Sequence, residues 1–98
     1  MIIRIVKMTF RQDAVGEFLS LFEKVYPVIS KFEGCKELKL LKVTDAPNVM
    51  MTYSVWDSEE HLNHYRFSPF FKDTWTKTKV LFEARAEAWS LESIDRTY

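Results

Sequence analysis

Cysteine is almost missing from this chain. Cys35 is the single one in 98 residues, which excludes an intrachain disulfide and any zinc site built on paired thiolates. Glycine occurs only as Gly16 and Gly34, so no glycine-rich loop can cradle a phosphate. Neither sign of charge dominates, with 14 Lys+Arg against 14 Asp+Glu. A balanced chain lacks the basic excess that phosphate neutralisation requires, which argues against nucleic acid as a partner. His61 and His64 are the only histidines and bound any histidine-based metal site. No apolar run approaches the roughly 20 residues that cross a bilayer. The first residues carry Arg4 and Lys7 inside an alternating stretch and do not read as a signal peptide. The expectation is a reduced, cytoplasmic protein with no membrane partner.

What is abundant is aromatic carbon. Hydrophobic residues make up 47% and aromatic residues 15% of the chain, a globular composition of a length suited to one domain over residues 1–98. Small domains struggle to bury enough apolar surface. The aromatic excess therefore serves either a core and subunit interface or a pocket for a flat apolar ligand.

Periodicity predicts the elements. Ile2 to Phe10 alternates as a strand. Asp13 is placed to cap a helix whose stripe runs through Phe18, Leu21, Phe22, Val25, Ile29 and Phe32, with Pro27 loosening it and Gly34 ending it. Glu37 to Val43 and Val49 to Trp56 read as a hairpin about the turn residues Asp45 to Asn48. Asp57 or Ser58, with Glu60, offers a cap for a short helix to about Phe67. Ser68 and Pro69 start another, with Phe71, Trp75, Thr78 and Phe82 on one face. Ala84 to Ser93 is the last strand. The order strand, helix, strand, strand, helix, strand is the α+β, ferredoxin-like βαββαβ arrangement with a four-stranded antiparallel sheet. Val6, Met8 and Phe10 alternate against Ile3 and Ile5; Val49, Met51, Tyr53 and Val55 alternate against Met50 and Trp56. Both sheet faces are thus apolar, and a homodimer burying the face away from the helices is the simplest solution. The tail from Leu91 to Tyr98 is expected to reach the partner.

Tyr53-Ser54-Val55-Trp56, followed by Asp57-Ser58-Glu59-Glu60-His61-Leu62 and by Ser68-Pro69-Phe70-Phe71, resembles the antibiotic biosynthesis monooxygenase domain. Phe32-Glu33-Gly34-Cys35 resembles the proline-glycine-cysteine turn of that family, with Glu33 where proline is usual. The resemblance spans nearly the whole chain and implies a dimeric α+β barrel. The family also contains haem-degrading enzymes and isomerases. Many members have histidine where this chain has Tyr65. The haem-degrading branch has a catalytic tryptophan at Tyr65 and the iron-binding histidine at Trp75, and an asparagine on the first strand that this chain lacks. Haem degradation is not implied.

The resemblance implies oxidation of an electron-rich phenol, hydroquinone or anthrone by dioxygen without flavin or metal. Trp56, Tyr65, Phe71 and Trp75 are the candidate walls of a flat slot for a small aromatic molecule, with Tyr53 and Arg4 as further substrate-binding candidates. Arg4 suits a ligand carboxylate or phenolate as well as a salt bridge. Tyr65 and His64 are the catalytic candidates: tyrosine is a poor base at its ordinary pKa of about 10, and histidine is a better one, but one helical step turns His64 roughly 100° from Tyr65. His61 and His64, one helical turn apart, lack a third metal ligand, and Cys35 reads as a small buried hydrophobe. A non-enzymatic ligand-binding or stress-associated dimer, or an isomerase, remains the alternative.

Overall fold

The computed structural model describes residues 1–94. β1 (Ile2–Phe10) has the extent its alternation predicts. Its Arg4, Val6, Met8 and Phe10 face the helices, and Ile3, Ile5 and Lys7 face away. A 3₁₀ turn (Gln12–Ala14) leads into α1 (Val15–Ile29). This turn absorbs Asp13, which does not cap the helix. The position before α1 is Ala14, with no side-chain cap, and the Asp13 carboxylate lies 3.5 Å from Arg11 Nε instead. Pro27 is in the last turn of α1, where it leaves the Glu23 carbonyl without its helical donor but has little helix after it to disrupt. The helix ends at Ile29, so Phe32 lies beyond the stripe it was expected to extend.

Gly34 is correspondingly not the helix stop. It sits in the turn before β2 (Cys35–Val43) with φ 85°, and a Cβ there would overlap Cβ and Cγ of His61. Its carbonyl accepts from Asp57 N at 2.8 Å, tying this turn to the start of the following helix. Gly34→Ala is expected to cost about 2–5 kcal/mol from the unfavourable φ and the steric overlap together. Chemical denaturation measures this, and adding His61→Ala should restore only the share of the steric cost due to the ring, because the Cβ at position 61 remains in overlap.

The β2–β3 hairpin turns on Thr44 and Asp45, tighter than the sequence suggested, and β3 (Ala46–Trp56) therefore takes in Pro47. The proline falls at a register shift between the pairs Lys42–Met50 and Val43–Ala46, where a missing N–H is tolerated. α2 (Glu59–Arg66) is capped by Ser58, whose Oγ accepts from His61 N at 3.2 Å. Asp57 lies one position too early to cap, and His61 occupies the place expected of Glu60, with Nδ1 2.8 Å from Ser58 Oγ. α3 (Pro69–Lys79) starts as predicted, Ser68 Oγ accepting from Phe71 N at 3.1 Å. Phe82 opens β4 (Phe82–Leu91) rather than closing α3.

The sheet order is β2-β3-β1-β4, antiparallel throughout. This is the ferredoxin-like α+β fold. The dense core lies at one end, where Met8, Phe10, Phe18, Met50 and Leu81 are buried and Phe10 stacks on Phe18 at 4.2 Å between centroids. On the opposite face Ile3, Ile5, Met51, Tyr53 and Val55 are half-buried, while Leu41 and Trp89 are each 44% exposed. Residues 95–98 of the expected partner-reaching tail lie outside the described residues. Among the described residues no helix is long and apolar enough to cross a membrane.

Candidate active site

A cavity of about 380 Å³ lies between the sheet and the helices at the Arg4 end of β1. Its cause is a mismatch of side-chain size. The strands supply a floor of small groups, Thr52 and Ser54 from β3 and Ala86 and Ala88 from β4, beside Val6. Register sets these residues in rows: Ser54, Arg4 and Ser90 lie side by side, as do Thr52, Val6 and Ala88. Large side chains roof the floor: Phe18, Leu21 and Phe22 from α1, Tyr65 from α2, Phe71 and Trp75 from α3. The bulky roof cannot descend onto a floor that is pinned by the ladder, so space remains. Its size falls in the range of small-molecule sites.

The aromatic wall is continuous. Trp56 stacks on Tyr65 at 5.1 Å and 18°, Tyr65 meets Phe71 edge-on at 5.1 Å, and Phe71 stacks on Trp75 at 5.9 Å and 10°. All four line the cavity, but they do not face each other across it. Trp56 and Tyr65 cover one another, so a planar ligand must lie against the wall as a whole. Trp56 is buried, and its indole N–H donates to Ser54 Oγ at 2.9 Å, which fixes the ring and leaves that donor engaged.

Tyr65 turns inward as its spacing from Leu62 predicts. Burial, and then the neighbouring Cys35, push its hydroxyl well above the ordinary tyrosine pKa. It therefore stays protonated as a hydrogen-bond donor and cannot serve as a base near neutrality. The folded state holds this proton more tightly than the unfolded one, so stability is expected to fall as pH rises beyond about 10. A pH series of denaturation curves, with Tyr65→Phe removing that decline, checks the assignment.

Two of the candidates do not belong to this site. Tyr53 pairs with Ile5 on the outer face of the sheet, because it stands an odd number of residues from Trp56 on one strand; its ring has Lys39 Nζ at 5.9 Å from the centroid. His64 is exposed on α2, with only the edge of Phe32 near it at 6.3 Å. His61 turns away from His64 to Ser58, with Glu33 at 3.8 Å. Among the described residues no three of His, Cys, Asp and Glu converge on a possible metal position. Cys35 is half-buried, its thiol pKa raised by that burial, which disfavours the reactive thiolate.

Arg4 does enter the cavity, its Nη1 donating to Ser90 Oγ at 3.0 Å. Burial, and then repulsion from Arg66, lower its pKa. Arg66 and the largely exposed Phe67 are lining residues the sequence reading did not single out. Arg66 was findable: it stands four residues after Leu62, the inward position of α2.

The family model described as antibiotic biosynthesis monooxygenase matches residues 1–77. No curated protein matches the sequence. Among solved structures, a conserved protein from Methanosarcina mazei Go1 is similar with a TM-score of 0.90 at 21% identity, over 96% of this chain and 94% of that one. Rv0793 from Mycobacterium tuberculosis is similar with a TM-score of 0.87 at 18% identity, over 99% and 98%. SnoaB, a cofactor-independent oxygenase from Streptomyces nogalater, gives a TM-score of 0.84 at 20% identity, over 98% and 94%.

Proposed function

The chain belongs to the antibiotic biosynthesis monooxygenase family, and from that membership we propose that its cavity binds a small electron-rich hydroxyaryl compound and directs its oxidation by dioxygen without a cofactor. The observation that carries this reading is the cavity itself: about 380 Å³ of space walled by aromatic rings, with a partly buried guanidinium inside and, among the described residues, no carboxylate in its lining. The SnoaB likeness, with a cofactor-independent oxygenase, is in keeping with it.

The substrate's own ring supplies the electrons. Loss of the hydroxyl proton gives a phenolate, which transfers one electron to dioxygen. The resulting radical pair forms a bond between ring carbon and oxygen. Proton return and cleavage of the O–O bond then release one water and leave a carbonyl, so a phenol and one dioxygen give a quinone and one water. The protein's part is positional and electrostatic. The aromatic wall holds the ring and excludes water. Arg4 favours the phenolate over the phenol, so that the proton can pass to solvent without a dedicated base. Tyr65, kept neutral, is the hydrogen-bond donor of the site.

The test is aerobic oxygen uptake against a panel of phenols, hydroquinones and anthrones, with chelator-treated protein. Uptake tied to quinone formation supports the reading, and binding without uptake sinks it. That second outcome would favour a ligand-binding module, for which one observation speaks: the two catalytic candidates are a tyrosine with a raised pKa and a histidine outside the cavity.

The same proposal includes a single domain over residues 1–98 working as a homodimer in the cytoplasm, where the free Cys35 would stay reduced. The half-covered apolar face with Leu41 and Trp89 is the contact. Light scattering at micromolar concentration should report a dimer, and Leu41→Lys with Trp89→Glu should shift it to monomer by placing charge in that contact.

A further inference from the structure

Among the described residues, the charged groups that line the cavity are all of one sign. Arg4 lies on the floor between Ser54 and Ser90, and Arg66, the last residue of α2, lines the wall. A shallower hollow outside the cavity shares Arg66, Phe67, Phe71 and Trp75 with it and adds Lys72 and Lys79. Among the described residues no Asp or Glu lines either one. Among the described residues, none of these four cations makes an ion pair. The Arg66 guanidinium lies 5.0 Å from the ring centroid of Phe67, at the junction of the two hollows.

A chain of zero net charge has thus gathered four cations along one path from surface to sheet. Like charges in a low-dielectric pocket repel, and the lowered pKa of Arg4 reflects that strain as well as burial. An anion relieves it, and focused positive potential draws an anion in. Arg4 is engaged by Ser90 Oγ on the floor, whereas Arg66 lies where the two hollows join, so each is assigned its own group of the ligand. An apolar wall with one guanidinium fork at its entrance matches a carboxylate. A phosphate, which a guanidinium also pairs with, is the competing anion, and this chain adds no glycine-rich loop of backbone donors for it.

We infer that the ligand of this cavity is a hydroxyaryl carboxylic acid, its carboxylate held by Arg66 at the junction of the two hollows and its ring hydroxyl directed to Arg4. This rests on the reading of the cavity as an oxidation site and narrows its substrate class. Lys72 and Lys79 form the approach rather than the grip.

Gentisate, methyl gentisate and hydroquinone present the same ring with a carboxylate, with that carboxylate masked, and without it. Anaerobic titration of the full chain, followed by emission of Trp56 and Trp75 with Trp89 as background, should show gentisate binding about ten- to a hundredfold tighter than its methyl ester. The preference should shrink with added salt. Arg66→Gln should bring the two ligands to near parity while leaving methyl gentisate affinity unchanged, and Arg66→Lys should restore part of the preference. The inference is overturned if ester and acid bind alike in the native protein, if Arg66→Gln leaves the preference intact, or if phenyl phosphate binds more tightly than benzoate. Failure of the oxidation reading looks different: gentisate is preferred, yet no substrate on the panel supports oxygen uptake. Absence of binding by all three ligands at millimolar concentration overturns both.

Discussion

Arg4→Met is expected to lower kcat/KM for oxygen-dependent oxidation by about a hundredfold or more, and to leave stability unchanged or slightly higher. The rate effect follows from the role of the guanidinium as the charge that favours the reactive phenolate. Removing one such preorganised electrostatic group costs about a hundred- to a thousandfold in comparable sites. The stability effect has the opposite sign because Arg4 is partly buried, repelled by Arg66, and held by one hydrogen bond to Ser90 Oγ. Methionine keeps the straight apolar stem and sheds a charge that the fold gains little from burying. A residue that weakens the fold while enabling the chemistry is the pattern of a functional site. Steady-state oxygen uptake and chemical denaturation on the same preparation measure both effects. If Arg4→Met destabilises by several kcal/mol while activity stands, the arginine is a structural residue and the electrostatic account fails.

Trp56→Ala should unfold a large share of the protein's margin, about 3–5 kcal/mol. Trp56 is 1% exposed and stacks on Tyr65. Its N–H also holds Ser54 Oγ at 2.9 Å. Alanine leaves a void beside the existing cavity and releases both the tyrosine ring and the serine of the floor. Trp56→Phe keeps the stack and loses one hydrogen bond, for about 0.5–1.5 kcal/mol. Ligand affinity should follow the same order, Ala far worse than Phe. The wall has two functions at this residue, packing and binding, whereas Phe71 and Trp75 at the half-buried end should trade less stability for the same loss of affinity. Thermal melts with and without gentisate separate the two contributions.

The strongest patterns in the chain were read directly. Strict alternation located β1 at both ends. Ser68 located the start of α3, and the pair Asp57 and Ser58 that of α2 to about one residue, because a polar side chain before a helix satisfies a free N–H whatever surrounds it. The two-sided apolar sheet followed from parity along β1 and β3. The same parity excludes Tyr53 from the cavity: odd spacing from Trp56 sends it to the other face, so its aromatic character alone was a poor guide. Asp13 misled because a 3₁₀ turn moved the start of α1 past it, and local sequence does not distinguish a cap from the first turn when Ala14 supplies no side chain. Gly34 was rightly singled out as a left-handed position, but the reason is the His61 ring against it, a contact between distant segments. The cavity was harder to foresee than its walls. It depends on Thr52, Ser54, Ala86 and Ala88 meeting under the helices, and small residues on three-residue stretches of two different strands carry no periodic signal. Arg66 joins them only through the fold.

One measurement bears most directly on the cavity as the place of oxidation. Native protein and a variant with the space filled, Ala86→Phe, are supplied with a hydroxyaryl substrate and isotope-labelled dioxygen, and the product is examined by mass spectrometry. The floor has room for the larger ring, so the variant should fold with a melting temperature close to that of the native protein. The expected result is one labelled oxygen atom in the quinone formed by the native protein, and product at the background rate of autoxidation with the filled variant. Label incorporated equally by both proteins, or by neither above background, would contradict the account.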